Sequence, residues 1–209
     1  WCKGIEAVCM DLWRAYMNGA RRYCRNAAIV FDKFHVYTYL SDAIDEVRRV
    51  EQTKADEENK DLLKGCRWLL LRPFSKVRGH KRINLEEVLR MNKNIFKAHL
   101  LKEDFTQFYN CANATEAQNF LAAWTHRCKE SQLAPFVKLA KRLNRWAHGI
   151  LAYFTHRITN GVSEGINNVI KVIKRRSYGF HDMEYFFLKI LAKTGSIPPL
   201  TLYTHSFAE

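Results

Sequence analysis

Ile5-Glu6-Ala7-Val8-Cys9-Met10-Asp11 is a short apolar run that stops at a carboxylate, and its reading decides the fold. A run of this length and composition fits a buried strand. Leu12 to Arg25 follows with helical character, placing Trp13, Tyr16, Ala20 and Tyr23 on one side and Arg14, Arg21 and Arg22 elsewhere. A second apolar run, Ala27-Ala28-Ile29-Val30-Phe31, again ends at an aspartate, Asp32. Strand, helix, strand at this spacing is a βαβ unit with a right-handed crossover. In open α/β sheets ligands bind at the carboxyl ends of the strands, so Asp11 is placed for chemistry as well as for capping.

Outward from this unit the chain reads as helices. Asp32-Lys33-Phe34-His35 opens one, and apolar positions 36, 40, 43, 44, 47 and 50 give it one buried face as far as Thr53. Glu51 to Lys60 fits an exposed helix or a linker. Leu62 to Leu71 is helical until Arg72-Pro73 stops it. Ser75 to Arg82 is a basic loop around Gly79 with phosphate-binding character, and Asn84-Leu85-Glu86-Glu87 resembles a capped helix start. Thr115-Glu116-Ala117-Gln118 fits a capping box. Ile95, Phe96, Leu100, Phe105 and Phe108, then Phe120, Leu121, Trp124 and Cys128, keep helical spacing and read as core rather than as a base-stacking platform. Pro135 suits the first turn of a helix running to about Tyr153.

The second informative stretch is Asn160-Gly161-Val162-Ser163-Glu164-Gly165-Ile166-Asn167-Asn168-Val169-Ile170-Lys171, continuing to Arg176. It reads as a helix start with Ser163 as cap and Glu164 in the first turn, where the helix dipole favours an anion. Ile166, Val169, Ile170 and Ile173 share one face, and Asn167, Asn168, Lys171, Lys174 and Arg175 the other. Gly179 ends this helix, Asp182 caps one more, and residues from Ser196 read as a tail.

Positive charge is unevenly spread. The chain carries a net +13, and between Lys138 and Lys193 there are 11 Lys and Arg against Glu164, Asp182 and Glu184, a net of +8. Such concentration points to a polyanion, nucleic acid before membrane. No run is long and apolar enough for a membrane span, and the six scattered cysteines show neither zinc-ligand nor disulfide-framework spacing. A soluble, cytoplasmic protein with reduced thiols is expected.

Asp11 at a strand tip and Glu164 at a helix start suit a site for two divalent metals, Mg²⁺ or Mn²⁺. Hard oxygen ligands bind such ions, and two of them about 3.5–4 Å apart serve phosphodiester exchange. The site needs at least one further carboxylate. The bland alternatives are capping for Asp11 and Asp32, dipole complementation for Glu164, an interior imidazole for His35 and a solvated face for the cations.

Three blocks carry a resemblance. Val8-Cys9-Met10-Asp11-Leu12-Trp13, Val30-Phe31-Asp32-Lys33-Phe34-His35-Val36, and Asn160 to Arg175 followed by Tyr178-Gly179-Phe180 resemble the DDE transposases of bacterial insertion sequences, ISL-three family. The resemblance implies a mostly helical α/β fold: a partial ribonuclease-H-like core, strand-helix-strand plus C-terminal helices, with a large all-α insertion. Residues 1–35 would belong to the core, 36–155 to the insertion, 156–195 to the return to the core and 196–209 to the tail. It further implies Asp11 as the second catalytic acid and Glu164 as the third, both metal ligands, with Asp32 and His35 supporting. Lys171, Lys174, Arg175, Arg176, Asn167 and Asn168 are the candidate DNA contacts.

The first acid would lie upstream, so this chain is expected to be the C-terminal catalytic part of a transposase and inactive alone. The implied partners are double-stranded DNA, as element ends and target, and further copies of the protein on that DNA, in the bacterial cytoplasm at the nucleoid. A non-catalytic DNA-binding or assembly module, or an inactive remnant, is the alternative.

Overall fold

The computed structural model describes residues 2–195, and the chain divides into two compact units between Thr159 and Asn160. The first begins with β1 (Ala7–Met10), α1 (Arg14–Tyr23) and β2 (Ala28–Phe31). The strands are parallel, in register from Ala7 opposite Ala28 to Met10 opposite Phe31. The ladder runs one bond beyond each end: Ala28 donates to Glu6 O at 2.8 Å and Asp32 to Met10 O at 2.9 Å. The two apolar runs therefore form the expected βαβ unit, with both aspartates just past the same edge.

A long helix, α2 (Lys33–Lys54), is the axis of the first unit. Val36, Leu40, Ala43, Ile44 and Val47 are buried on it, at the spacing that puts one stripe of a helix inward. Asp56 then caps α3 (Glu57–Gly65) by accepting from Asn59 N at 3.0 Å. The single helix expected over 62–71 is two, because α3 ends at Gly65 and α4 (Arg67–Leu71) restarts after Cys66. Glycine is a poor helix former, and the buried Cys66 carbonyl takes both Leu69 N and Leu70 N at 3.0 Å, which restarts the winding.

Arg72-Pro73 stops α4 as expected. Its end is capped from inside: Lys102 Nζ donates to Leu70 O at 3.0 Å and to Arg72 O at 2.6 Å, satisfying carbonyls that the helix itself leaves open.

The basic loop is shorter than its sequence suggests. Gly79, at φ +60, turns the chain and α5 (His80–Met91) starts at once, so Asn84 lies inside a helix rather than at its start. Arg82 holds that early turn, bonded to Phe74 O at 3.0 Å and Glu86 at 2.6 Å. Asn92 caps α6 (Lys93–Phe105). The capping box of α7 (Ala114–Glu130) sits two residues before Thr115: Asn113 accepts from Glu116 N at 2.9 Å, and Glu116 accepts from Ala112 N at 2.8 Å.

The helix expected from Pro135 to Tyr153 also breaks. α8 (Ala134–Arg145) and α9 (Ala147–His156) meet at Trp146, whose N–H reaches both Arg142 O and Leu143 O at 3.2 Å. This tightened turn lays α9 on β2. There Gly149 lies so close to Phe31 that a Cβ would stand 2.3 Å from the ring, and Trp146 meets the same ring edge-on at 5.2 Å.

Among the expected core residues, Phe105, Phe108 and Trp124 are fully buried, while Phe96 and Leu100 are 43% and 50% exposed. The buried positions of α6 are 95, 98, 99, 101, 102 and 105, which turns the 96/100 edge outward. His99 and Lys102 thereby enter the interior.

The second unit contains α10 (Gly161–Arg176) and α11 (Met183–Thr194), packed on each other. Ser163 is not the cap. Gly161 and Val162 are already helical, Asn160 takes the N-cap position without a side-chain cap bond, and its carbonyl accepts from Glu164 N at 3.0 Å. Glu164 is in the first turn as expected. Tyr178 and Gly179 turn the chain with positive φ, 51° and 115°. Asp182 then caps α11 through Tyr185 N at 3.0 Å. The expected tail lies outside the described residues. All six cysteines are free, and no helix among the described residues is long and apolar enough to cross a membrane.

Candidate active site and DNA-binding surface

At the C-terminal edge of the parallel pair the chain leaves β1 through Asp11 and β2 through Asp32. Trp13 N donates to Asp11 O at 2.6 Å, a tight turn directly after β1. Its carboxylate is 33% exposed, whereas that of Asp32 is 5% exposed. Asp32 occupies the N-cap position of α2 yet makes no side-chain cap bond. Its role is therefore not the simple cap.

His35, in the first turn of α2, stands between the two acids. Its Nε2 is 3.3 Å from Asp11 Oδ2, and its Nδ1 is 3.8 Å from Asp32 Oδ2. Nδ1 is buried and has no hydrogen-bond partner among the described residues. Three of the four residues expected at the site, far apart in character but all in the βαβ unit and the helix after it, thus form one cluster. The same two carboxylates, after burial itself, push the neighbouring Cys9 thiol up to about 11, so Cys9 stays protonated at neutral pH.

Asp11 and His35 also line a cleft with Leu12, Trp13, Tyr16 and Tyr39. The sequence reading did not place these aromatics at the site. The signal was present in Trp13 lying two residues after the acid and Tyr16 one helical turn later.

Asp11 alone in this cluster offers an accessible carboxylate of the kind a hard divalent cation takes. It fits as one ligand of a larger set. Among the described residues no group of three His, Cys, Asp or Glu is arranged to hold a metal ion.

In the second unit, Glu164 lies in the first turn of α10 and is exposed. Asn167, Asn168, Lys171, Lys174, Arg175 and Arg176 follow on the same helix, all exposed. None of these four cations has a carboxylate partner among the described residues. Unpartnered cations on one helix are what phosphate contacts require.

The family model of the ISL-three DDE transposases, described as "Transposase", matches residues 1–190. The chain belongs to this transposase family. It is 36% identical over 191 residues to the transposase for insertion sequence element IS1001 of Bordetella parapertussis, covering 90% of this chain and 47% of that protein. It is 23% identical over 201 residues to the transposase for insertion sequence element IS1557 of Mycobacterium tuberculosis, covering 85% and 45%. The chain spans about half the length of the curated relatives it matches. No solved structure matches it.

Proposed function

We propose that this chain is the C-terminal part of the catalytic domain of a DNA transposase, in which Asp11 and Glu164 are two of the carboxylates that act on a DNA phosphodiester. The observation that carries the reading is the Asp11–His35–Asp32 cluster at the carboxyl edge of a parallel βαβ unit, in a chain of transposase family. On this reading the βαβ unit is part of a ribonuclease-H-like core, the helices from α2 to α9 are the insertion, and α10 returns the chain to the core. The first of the three acids comes from an upstream segment.

Asp11 and Glu164 would hold Mg²⁺ or Mn²⁺, which when bound activates the attacking oxygen and stabilises the leaving one. The chain's own residues do the rest. His35 fixes the orientation of the Asp11 carboxylate, and the buried Asp32 fixes the imidazole in turn. Lys171, Lys174, Arg175 and Arg176, with Asn167 and Asn168, grip the phosphate backbone of duplex element ends and target. Assembly of copies on that DNA would bring two ends together.

In the longer transposase that contains this sequence, Asp11→Ala or Glu164→Ala is expected to abolish metal-dependent strand cleavage while duplex binding stays within about twofold, the range of a surface substitution. Cleavage by either variant at the parent rate would remove that residue from the site. His35→Gln is expected to lower the rate less. The exposed, unpartnered cations of α10 favour a second reading, a DNA-binding or assembly module without catalysis. It predicts salt-sensitive duplex binding indifferent to both Ala substitutions and to metal.

A further inference from the structure

Helix α8 carries a stripe of charge that the packing of the first unit does not use. Lys138, Lys141, Arg142 and Arg145 are all exposed on it, while Phe136, Leu139, Ala140 and Leu143 are buried. By helical spacing Lys138, Lys141 and Arg145 fall within about 60° of one another, directly opposite that buried stripe. Arg142, beside them, is laid over the Tyr39 ring at 4.1 Å. The other three have no carboxylate partner among the described residues. A helix C-terminus favours cations, which accounts for Arg142 and Arg145 in the last turn. It does not account for Lys138 and Lys141. An ordinary solvated face mixes both signs, whereas no acidic residue occurs anywhere between Glu130 and Glu164.

What the face lacks selects its occupant. No large apolar side chain of α8 is exposed, so a protein partner finds no anchor of the kind that carries affinity, and a bilayer finds no apolar face to bury. Nor does the face offer a free ring on which an unpaired base could stack, since Tyr39 already carries Arg142. Spaced positive charge alone suits the phosphate backbone of a duplex. From Lys138 to Arg145 the helix rises about 10 Å, and one duplex strand carries a phosphate about every 3.4 Å along the axis, so the stripe spans about three of them.

The position points the same way. Tyr39 lines the cleft of Asp11 and His35, and it also lines the groove between α2 and α8 with Lys138 and Arg142. The two grooves meet at Tyr39, so DNA on α8 passes beside the acid cluster. Asp42 and Glu46 line the second groove too, which leaves the outer flank, at Lys141 and Arg145, as the most favourable for phosphate.

We propose that the outer face of α8 is a second duplex-binding surface, on which Lys138, Lys141 and Arg145 hold phosphates of the DNA that flanks the bond presented at Asp11. The inference rests on the reading of Asp11 as a site carboxylate in a DNA-acting protein, and it adds a track in the first unit to the cations of α10.

The test uses the 209-residue chain and a labelled duplex of arbitrary sequence, with affinity read by anisotropy over a range of salt. Lys138→Gln, Lys141→Gln and Arg145→Gln together should weaken binding at least about tenfold near about 0.1 M salt and lower the salt slope by about 3. The melting curve should not move, and Lys138→Arg, Lys141→Arg and Arg145→Lys together should bind like the parent. Lys64→Gln, Arg90→Gln and Lys93→Gln remove the same charge from exposed positions of α3, α5 and α6, and should weaken binding less than about threefold. Asp42→Asn with Glu46→Gln should tighten it by about threefold. Parent-like binding by the α8 triple variant, an equal loss from the distant triple, or a single strand that competes better than a duplex of the same length would overturn the inference. So would a chain that binds no duplex, and cleavage by the longer transposase then decides the function reading by itself. Binding lost in Lys171→Ala with Lys174→Ala but kept in the α8 variant overturns this inference alone. Binding that depends on α8, in a longer transposase whose cleavage ignores Asp11→Ala, keeps the surface and sinks the catalytic assignment.

Discussion

The helical body of the first unit and the α10–α11 pair put positive charge to opposite uses. In the body, Arg48 is buried against Asp45, Gln52 and the carbonyl of Leu63, and Lys102 closes the end of α4. Arg157, in the left-handed conformation after α9, donates to Cys111 O and Ala112 O at 3.2 and 2.9 Å. Arg142 stacks on Tyr39 at 4.1 Å. On α10 the cations Lys171, Lys174, Arg175 and Arg176 have no carboxylate partner among the described residues. The basic span from Lys138 to Lys193 is therefore two kinds of charge, one that holds the fold and one exposed on a helix surface. Counting Lys and Arg along a sequence cannot separate them.

Substitutions sharpen the contrast, beginning where the charge is structural. Lys102→Met should destabilise the first unit by about 3–5 kcal/mol, because it leaves two helix-end carbonyls and Glu103 without their buried cation. Denaturant titration measures it, and a loss under ~1 kcal/mol would mean that water replaces the ammonium.

His99 gives the next effect. Its ring is buried, and burial first, then the Lys102 and Arg82 cations against an opposing Glu103, push it down from 6.5 to about 4. The folded state therefore keeps it neutral where the unfolded chain is protonated. The stability this provides is complete above pH 6.5 and is lost as pH falls through about 4, roughly 2–3 kcal/mol in all. His99→Gln should flatten that part of the stability–pH curve.

Gly149→Ala is expected to cost about 1–3 kcal/mol, since the added methyl meets the immobile Phe31 ring that α9 clamps on β2. A smaller loss would show that α9 can lift from the strand. Smallest of all, Lys174→Ala and Arg175→Ala should change stability by less than about 0.5 kcal/mol while each lowers the salt slope of DNA binding by about one ion. A stability loss comparable to that of Lys102→Met would erase the distinction between the two regions.

What could be read directly from the residues follows the same division. The βαβ unit was legible because two apolar runs each end in aspartate and the linking helix has the length of a crossover. The stripe of α2 was legible because Val36, Leu40, Ala43, Ile44 and Val47 repeat without interruption. Helix ends were less so. Ser163 and Thr115 are good caps by composition, but Gly161 and Asn113 start their helices earlier, a choice made by backbone geometry rather than propensity. The splits at Cys66 and Trp146 arise from tertiary packing that no local period encodes. At the site, Asp11 and Asp32 announced themselves as strand ends. The bridging by His35 needed the angle between β2 and α2, and the exposure of Trp13 and Tyr16 needed the position of α1 on the sheet.

The four-residue ladder of β1 and β2 carries a practical consequence. Among the described residues each strand has a single neighbour; β2, with Val30 and Phe31 fully buried against α9, is covered, and the less buried β1 has no strand along its outer margin. Such margins accept any extended segment of matching length, including one from another molecule. Purified at high concentration, the chain should self-associate through this margin, and a lysine or proline set into it should keep the preparation monodisperse.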